Sequence, residues 1–418
     1  MKSYIQQALD KNPFLRRVSI LASGTAIGQL ITIASLPIIT RLYSPEVFSV
    51  LAVYVSILTI LCVIAGLCFE YAIPLPKSNR IAAALCTLAI FSTISFSGIS
   101  ALLIYFFPSV INQLTTYKLS NILWLIPFGL FTVGLYNALQ YWSTRNKQFS
   151  LISKTRITQS ALGNSVKLGS GFLLGSTSIG LILGQIISQG SGFITLSVSL
   201  FKSDWKYFKK IKPKTLRLAF SRYQEFPKFT TLEVLANTSS IQLPIILIAS
   251  FSIGSEAGYL MIAMQLLSAP MGLLGNAVSQ VYLTEAADKY HHKQLKNFTL
   301  ATIKNLAKVA ILPLMLAACL APILVPYFLG AQWQRAGILI SWMTPWFFVQ
   351  FITSPVSTSL YITKNQKTAF LLQLFGLCIR VGSIYLISLY NIDFLGEAYA
   401  LSGLLFYAIY LLVVIKKL

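Results

Sequence analysis

Long apolar runs alternate with short polar ones along almost the whole chain. Roughly 20 apolar residues are enough to cross a bilayer as a helix. Twelve such runs recur, at about 18–39, 47–73, 81–107, 120–142, 151–174, 178–201, 229–251, 257–283, 301–328, 336–361, 368–390 and 394–415. The pattern predicts an all-α polytopic membrane protein. The longest polar interval divides it into a six-helix bundle over 1–201, a basic cytoplasmic linker over 202–228 and a second six-helix bundle over 229–418.

Composition supports this class. Of 418 residues, 56% are hydrophobic and only 11% charged, whereas a soluble domain carries about 25% charged residues. The charge is also one-sided, with 33 Lys and Arg against 11 Asp and Glu. With both termini placed inside, 28 of the 33 basic residues fall on cytoplasmic segments and three on outer ones, namely Arg41, Lys118 and Arg335. Such a bias fixes an N-in, C-in topology. The linker run LysTyrPheLysLysIleLysProLys then reads as an anchor on anionic lipid, with protein docking as the alternative.

Enzyme signatures are missing. The chain has no GxxxxGK[ST], GxSxG or HExxH, so nucleotide, serine-hydrolase and zinc chemistry have no motif to rest on. The histidines, His291 and His292, are adjacent and would point apart on a helix. Cys62, Cys68, Cys86, Cys319 and Cys378 lie in apolar stretches without CxxC spacing, which points to no disulfide or metal role. No cofactor or metal is expected. The outer loops are short, which counts against a membrane polymerase or transferase.

Polar residues inside the spans carry the remaining information. At helical spacing they form stripes: Ser160, Asn164, Lys167 and Gly171; Glu233, Asn237, Ser240 and Pro244; Gln265, Ser268, Gly272, Asn276 and Ser279; Gln350, Ser354, Ser357 and Tyr361; Gln373, Gly376, Arg380 and Ser383. Five wettable stripes predict an interior cavity, with polar helix packing as the alternative. Lys167 and Arg380 stand out, because an ionised group at mid-bilayer costs at least ~2.5 kcal/mol and usually faces water or a partner. Cation in excess of anion suits a phosphate or pyrophosphate ligand. The span acids Glu70 and Glu233 are candidate proton or cation carriers. GxxxG pairs at Gly171/Gly175 and Gly180/Gly184 predict close helix packing. Prolines at 37, 127, 244, 270, 313, 345 and 355 predict kinks. LeuProIleIle at 36–39 recurs at 243–246, a faint echo between the halves.

Longer strings point to a family. ThrArgLeuTyrSerProGluValPhe (40–48) and PheGluTyrAlaIleProLeuProLysSer (69–78) are followed in order by ThrArgAsnLysGlnPhe (144–149), GlyLeuIleLeuGlyGln (180–185) and GlnLeuProIleIleLeuIleAla (242–249). GlyAsnAlaValSerGlnValTyr (275–282), GlnTrpGlnArgAlaGly (332–337) and ProTrpPhePheValGlnPheIleThrSerPro (345–355) continue the series. Together they resemble the bacterial polysaccharide-biosynthesis exporters of the multidrug/oligosaccharidyl-lipid/polysaccharide (MOP) superfamily. The resemblance implies twelve helices in two bundles of six, arranged as a V around a central cavity. It implies an O-antigen or similar oligosaccharide on undecaprenyl pyrophosphate as substrate, moved to the periplasmic leaflet of the inner membrane by alternating access. Arg41, Glu70, Arg145 and Arg380 match positions that look charged in the family. Two departures are Cys68-Phe69-Glu70, where Arg-Tyr-Glu is frequent, and Gln265, where an arginine is frequent.

Taken together, Lys167, Arg380, Arg41, Asn164, Gln265, Asn276 and Gln350 are the expected substrate-binding residues, and Glu70 and Glu233 the expected ion-coupling pair. The alternatives are an ion-coupled multidrug exporter, a membrane enzyme on lipid-linked sugar, and a scaffold for polysaccharide assembly proteins.

Overall fold

The computed structural model of the protein describes residues 13–107, 122–252, 254–292, 294–363 and 365–418, and the side chains from residue 19 onward except at scattered positions between 270 and 291 and at 361. Lys118 and residues 1–12 lie outside the described residues. Everything described is helix, turn or irregular connection, with no strand among the described residues.

Among the described residues, twelve long helices coincide with the twelve apolar runs: α1 Pro13–Leu42, α2 Pro45–Gly66, α3 Asn79–Phe106, α4 Leu125–Arg145, α5 Phe149–Leu173, α6 Ser178–Ser203, α7 Thr231–Phe251, α8 Glu256–His291, α9 Leu295–Leu329, α10 Gln334–Val356, α11 Gln366–Tyr390 and α12 Leu395–Lys416. Nine of them, among the described residues, are long and apolar enough to cross a membrane by length and composition. The other three are α4, α5 and α8. Of these, α5 carries Lys154, Arg156 and Lys167 within one helix.

Local chemistry sets the boundaries. Pro45 opens α2 at its first position, where its missing N–H costs nothing. Gly330 (φ 110°) closes α9, and Gly175 (φ 79°) turns the chain after α5, a conformation in which a Cβ would be strained. The Gly175 member of the expected GxxxG packing pair is thus a turn residue. Gly184 does serve close packing: a Cβ there would lie 2.8 Å from the Gly163 carbonyl oxygen on α5. The span expected over 47–73 breaks after Gly66, because Leu67 and Cys68 are both left-handed (φ 48° and 53°), and a short helix Phe69–Ala72 follows. Non-glycine residues there cost of order 1–3 kcal/mol each. Span six breaks once, at Ser191.

The prolines at 37 and 244 sit inside α1 and α7, so the two copies of LeuProIleIle occupy equivalent helices. Pro127 falls instead in the first turn of α4. Large apolar side chains face outward in rows, most clearly Val309, Leu312, Leu316, Ile323 and Tyr327 on α9. A patch of that size is a liability in water and a lipid-facing surface in a bilayer.

The chain folds as two compact units. One comprises Met1–Leu42 with Ile57–Leu235, the other Tyr43–Ser56 with Ala236–Leu418. The start of α2 therefore belongs with the second unit. There the Ser49 hydroxyl accepts from the Gly258 N–H at 2.9 Å, and Phe48 meets the edge of Trp333 at 4.9 Å.

The segment expected as a basic cytoplasmic linker packs onto the first unit. It forms short helices Trp205–Lys209 and Pro213–Arg222 and a π-turn over Phe226–Thr230. Asp204 accepts from Trp142 Nε1 (2.9 Å) and Asn146 Nδ2 (2.7 Å). Ala219 is buried in one cluster with Phe69, Ala82–Cys86 and Trp142. The physical reason is amphipathicity: Leu216, Ala219 and Tyr223 share the inward face of a segment whose lysines and arginines stay in solvent.

Candidate functional site

In the first unit α1, α5 and α6 pack tightly along small residues. Gly28 on α1 is so close to α5 that a Cβ would lie 2.9 Å from Ser160 Oγ. The polar face of α5 is spent along this seam. Arg156 donates to Thr25 Oγ1, and Asn164 donates to Thr32 Oγ1 (3.3 Å) and to the Ser160 carbonyl (2.9 Å). Lys167 is only 8% exposed, and its Nζ donates to Gln185 Oε1 on α6 at 2.7 Å. Asn164 and Lys167 are thus neighbours, as expected, and both belong to the first unit.

Arg380 belongs to the second unit and is 1% exposed. Its guanidinium lies 4.4 Å from the Trp346 ring centre and 5.4–5.8 Å from those of Phe406, Tyr399 and Tyr407. Glycines make this cage possible. A Cβ on Gly403 would press on the Trp346 indole, and one on Gly376 would lie 2.5 Å from Phe406 Cε2. None of the three guanidinium nitrogens makes a hydrogen bond among the described residues. The Tyr399 hydroxyl is turned to the Ile241 carbonyl instead (3.0 Å). Among the described residues Trp346 Nε1 is likewise buried without an acceptor, and Gln350 Oε1 and Gln373 Oε1 without donors. Trp346 and Gln350 lie one turn apart on α10, and Gln373 and Arg380 two turns apart on α11. Buried polar groups are nearly always paired, so these idle donors and acceptors are an anomalous feature of the second unit.

The other expected residues are scattered. Gln265 is half-buried on α8, and Asn276 lies on the same helix with its side chain outside the described residues. Arg41 is exposed at the end of α1. Glu233 is half-buried in the first turn of α7. Glu70 is 7% exposed on the short helix after the strained break, and its Oε2 has no donor. Gly66 leaves room for that carboxylate, since a Cβ there would lie 2.6 Å from Oε2.

Two arginines prove to be structural ties. Arg145 donates to the carbonyls of Ile73, Pro74, Pro76 and Lys77 and to Asn79 Oδ1, and so closes the connection between α2 and α3. Arg335 bridges Glu256 (2.9 Å) and Glu397 (2.5 Å), and its Nη2 also donates to the Asp393 carbonyl. It joins the N-terminal ends of α8, α10 and α12, where the helix dipoles favour the two carboxylates. Sequence reading took Arg335 only as a charge on an outer loop.

Sequence reading also missed a pocket. In the first unit a cavity of about 410 Å³ is lined from α2, α4, α5 and α6 by Tyr136, Asn137, Gln140, Arg156, Gln159 and Gln189, among others. The signal was present in part, as Tyr136 and Gln140 keep the i, i+4 spacing and Asn137 and Gln140 the i, i+3 spacing that bring side chains together on a helix.

An all-helical chain of this span count, with cations buried inside both units, has the form of a membrane transporter. Solved structures share the fold. An inward-facing multidrug resistance MATE family transporter of the MOP superfamily superposes with TM-score 0.72 at 12% identity, over 95% of this chain and 93% of that one. The lipid II flippase MurJ in an inward closed conformation gives 0.66 at 17% identity, over 96% and 87%. A MOP superfamily transporter from Pyrococcus furiosus gives 0.65 at 12% identity, over 95% and 94%. A search of curated proteins finds no match. The family model described as Polysaccharide biosynthesis protein matches residues 38–337, and the chain belongs to that family. This is the family to which the strings at 40–48 through 345–355 pointed.

Proposed function

We propose that the protein is a flippase. It moves an oligosaccharide linked to undecaprenyl pyrophosphate from the cytoplasmic to the periplasmic leaflet of a bacterial inner membrane, by alternating access. The observation that carries this reading is the pair of buried cations, Lys167 in one unit and Arg380 in the other, in a chain of the polysaccharide biosynthesis family. Lys167 offers a point charge and Arg380 a planar fork, the two ways proteins hold phosphate. Arg41, Asn164, Gln265, Asn276 and Gln350 complete the substrate surface, with O-antigen units and related lipopolysaccharide precursors as the cargo class.

Glu70 and Glu233 couple transport to a proton or cation gradient, since moving one charge through 100 mV is worth about 2.3 kcal/mol. The basic residues of 202–228 face anionic lipid headgroups. The MATE-like fold favours drug export as the second reading, but organic cations would be repelled by Lys167 and Arg380.

The test is the sidedness of lipid-linked oligosaccharide in cells lacking the protein, rescued with wild type or with Lys167→Ala plus Arg380→Ala. Cytoplasmic-leaflet build-up that wild type clears, and an inserted double variant does not, is the expected result. Intermediates that reach the outer leaflet without the protein would overturn the reading.

A further inference from the structure

The polar pocket of the first unit is not needed to hold a pyrophosphate. Five of the six residues just named for it are uncharged at neutral pH, and the sole cation, Arg156, is already engaged with Thr25. Three side-chain amides on its wall, those of Asn137, Gln140 and Gln189, make no hydrogen bond within the protein, among the described residues. Gln159 donates through Nε2 to the Gln189 carbonyl (2.7 Å), which fixes one wall and leaves its Oε1 free to accept. Tyr136 is held by a contact of its hydroxyl with Thr155 Oγ1 (3.4 Å) and presents its ring.

An unpaired side-chain amide offers two donors and an acceptor. Three of them around about 410 Å³ lie within the size range of ligand sites, roughly 300–1,000 Å³. Such a wall suits a ligand with many hydroxyls and no charge, because each sugar hydroxyl both donates and accepts. A pyrophosphate would find one occupied arginine there. An organic cation would find no carboxylate, as the lining contains no Asp or Glu.

From this we infer that the pocket is a sugar subsite, taking an uncharged, hydroxyl-rich residue of the glycan, separate from the cations that hold the lipid pyrophosphate. The inference rests on the flippase reading and deepens it: cargo selection by sugar identity would reside in Asn137, Gln140 and Gln189.

The experiment uses full-length protein in proteoliposomes and two probes. One is the complete lipid-linked repeat extracted from the cells, the other the same polyprenyl pyrophosphate carrying only its first sugar. The variants are Asn137→Ala plus Gln140→Ala and, nearly isosteric, Gln140→Leu. Both are expected to lower the ratio of full-repeat to single-sugar rates at least tenfold. An unchanged ratio in either inserted variant overturns the subsite, and so does a parallel loss of both rates. If wild type moves neither probe, the flippase reading fails. Binding of the free oligosaccharide, released by mild acid and fluorescently labelled, then decides the subsite alone. Binding by wild type at least tenfold tighter than by the double variant supports it, and equal or absent binding overturns it.

Discussion

Replacing Arg380 by methionine separates a structural role from a transport role. The side chain is buried to 1% exposure with three unpaired nitrogens. Burial of an ion costs several kcal/mol even after relaxation, and each unsatisfied buried donor adds about 1–3 kcal/mol. Against this stands stacking on Trp346 at 4.4 Å and three more distant rings, with a desolvated cation–π contact contributing about 2 kcal/mol. The cage does not offset the burial. Methionine keeps the stem volume and contacts the same rings, so Arg380→Met should be neutral or stabilising, within the roughly 1–4 kcal/mol seen when buried charges are replaced by apolar groups. At about 2–4 °C per kcal/mol for a unit of 150–250 residues, the midpoint should hold level or rise, by up to about 16 °C at the upper limit, as read by size-exclusion after heating in detergent at one fixed heating rate. Flipping should fall at least tenfold in the same preparation. Arg380→Lys keeps charge and loses the planar stack, and should fall between. A midpoint drop beyond about 5 °C would refute the reasoning and make the cage a structural rivet. Unchanged flipping would refute the transport role.

Two further outcomes follow from the second unit. Gly403→Ala places a methyl against the buried Trp346 indole, and overpacking of this kind costs about 1–3 kcal/mol; the thermal midpoint should drop, while Gly382→Ala on the neighbouring helix α11, where a Cβ meets nothing within 4 Å, should leave it unchanged. Arg335→Met leaves Glu256 and Glu397 facing each other without their common partner. The pair is only partly buried, so the loss should lie between the surface and buried limits, about 2 kcal/mol. Adding Glu397→Gln should recover part of it, and equal midpoints for the single and double variants would contradict the ion-pair account.

The sequence revealed much of this fold because lipid imposes a length rule on every span. Even α5, with three cations, was found from its apolar spacing. What stayed hidden was set by distant contacts. The break at Leu67–Cys68 has no glycine to announce it and is held by tertiary packing around Phe69 and Ala72. Lys167 and Arg380 were legible as buried charges, because an ion in an apolar run always asks for a reason. Their surroundings were not, since Gln185 and the rings of Trp346, Tyr399 and Phe406 come from other helices. Arg335 was counted for topology and Arg145 also matched a charged position of the family, and neither reading says anything about the carbonyls and carboxylates that hold them. Asn137 and Gln140 were overlooked for a different reason: two amides on an otherwise apolar helix form too short a stripe to stand out.

The folded state of the basic segment decides where this chain can be divided. The helix Pro213–Arg222 brings Ala219 into the core around Phe69 and Trp142, so it belongs to the first half as firmly as any spanning helix. A pair of co-expressed fragments separated within that helix would leave the first without part of its cover and the second with an unmatched apolar face. Gln224 and Glu225, both exposed between Tyr223 and the π-turn, are where an engineered protease site would disturb no buried side chain, whereas two separate polypeptides divided there would still have to return residues 226–235 to the first unit and Tyr43–Ser56 to the second.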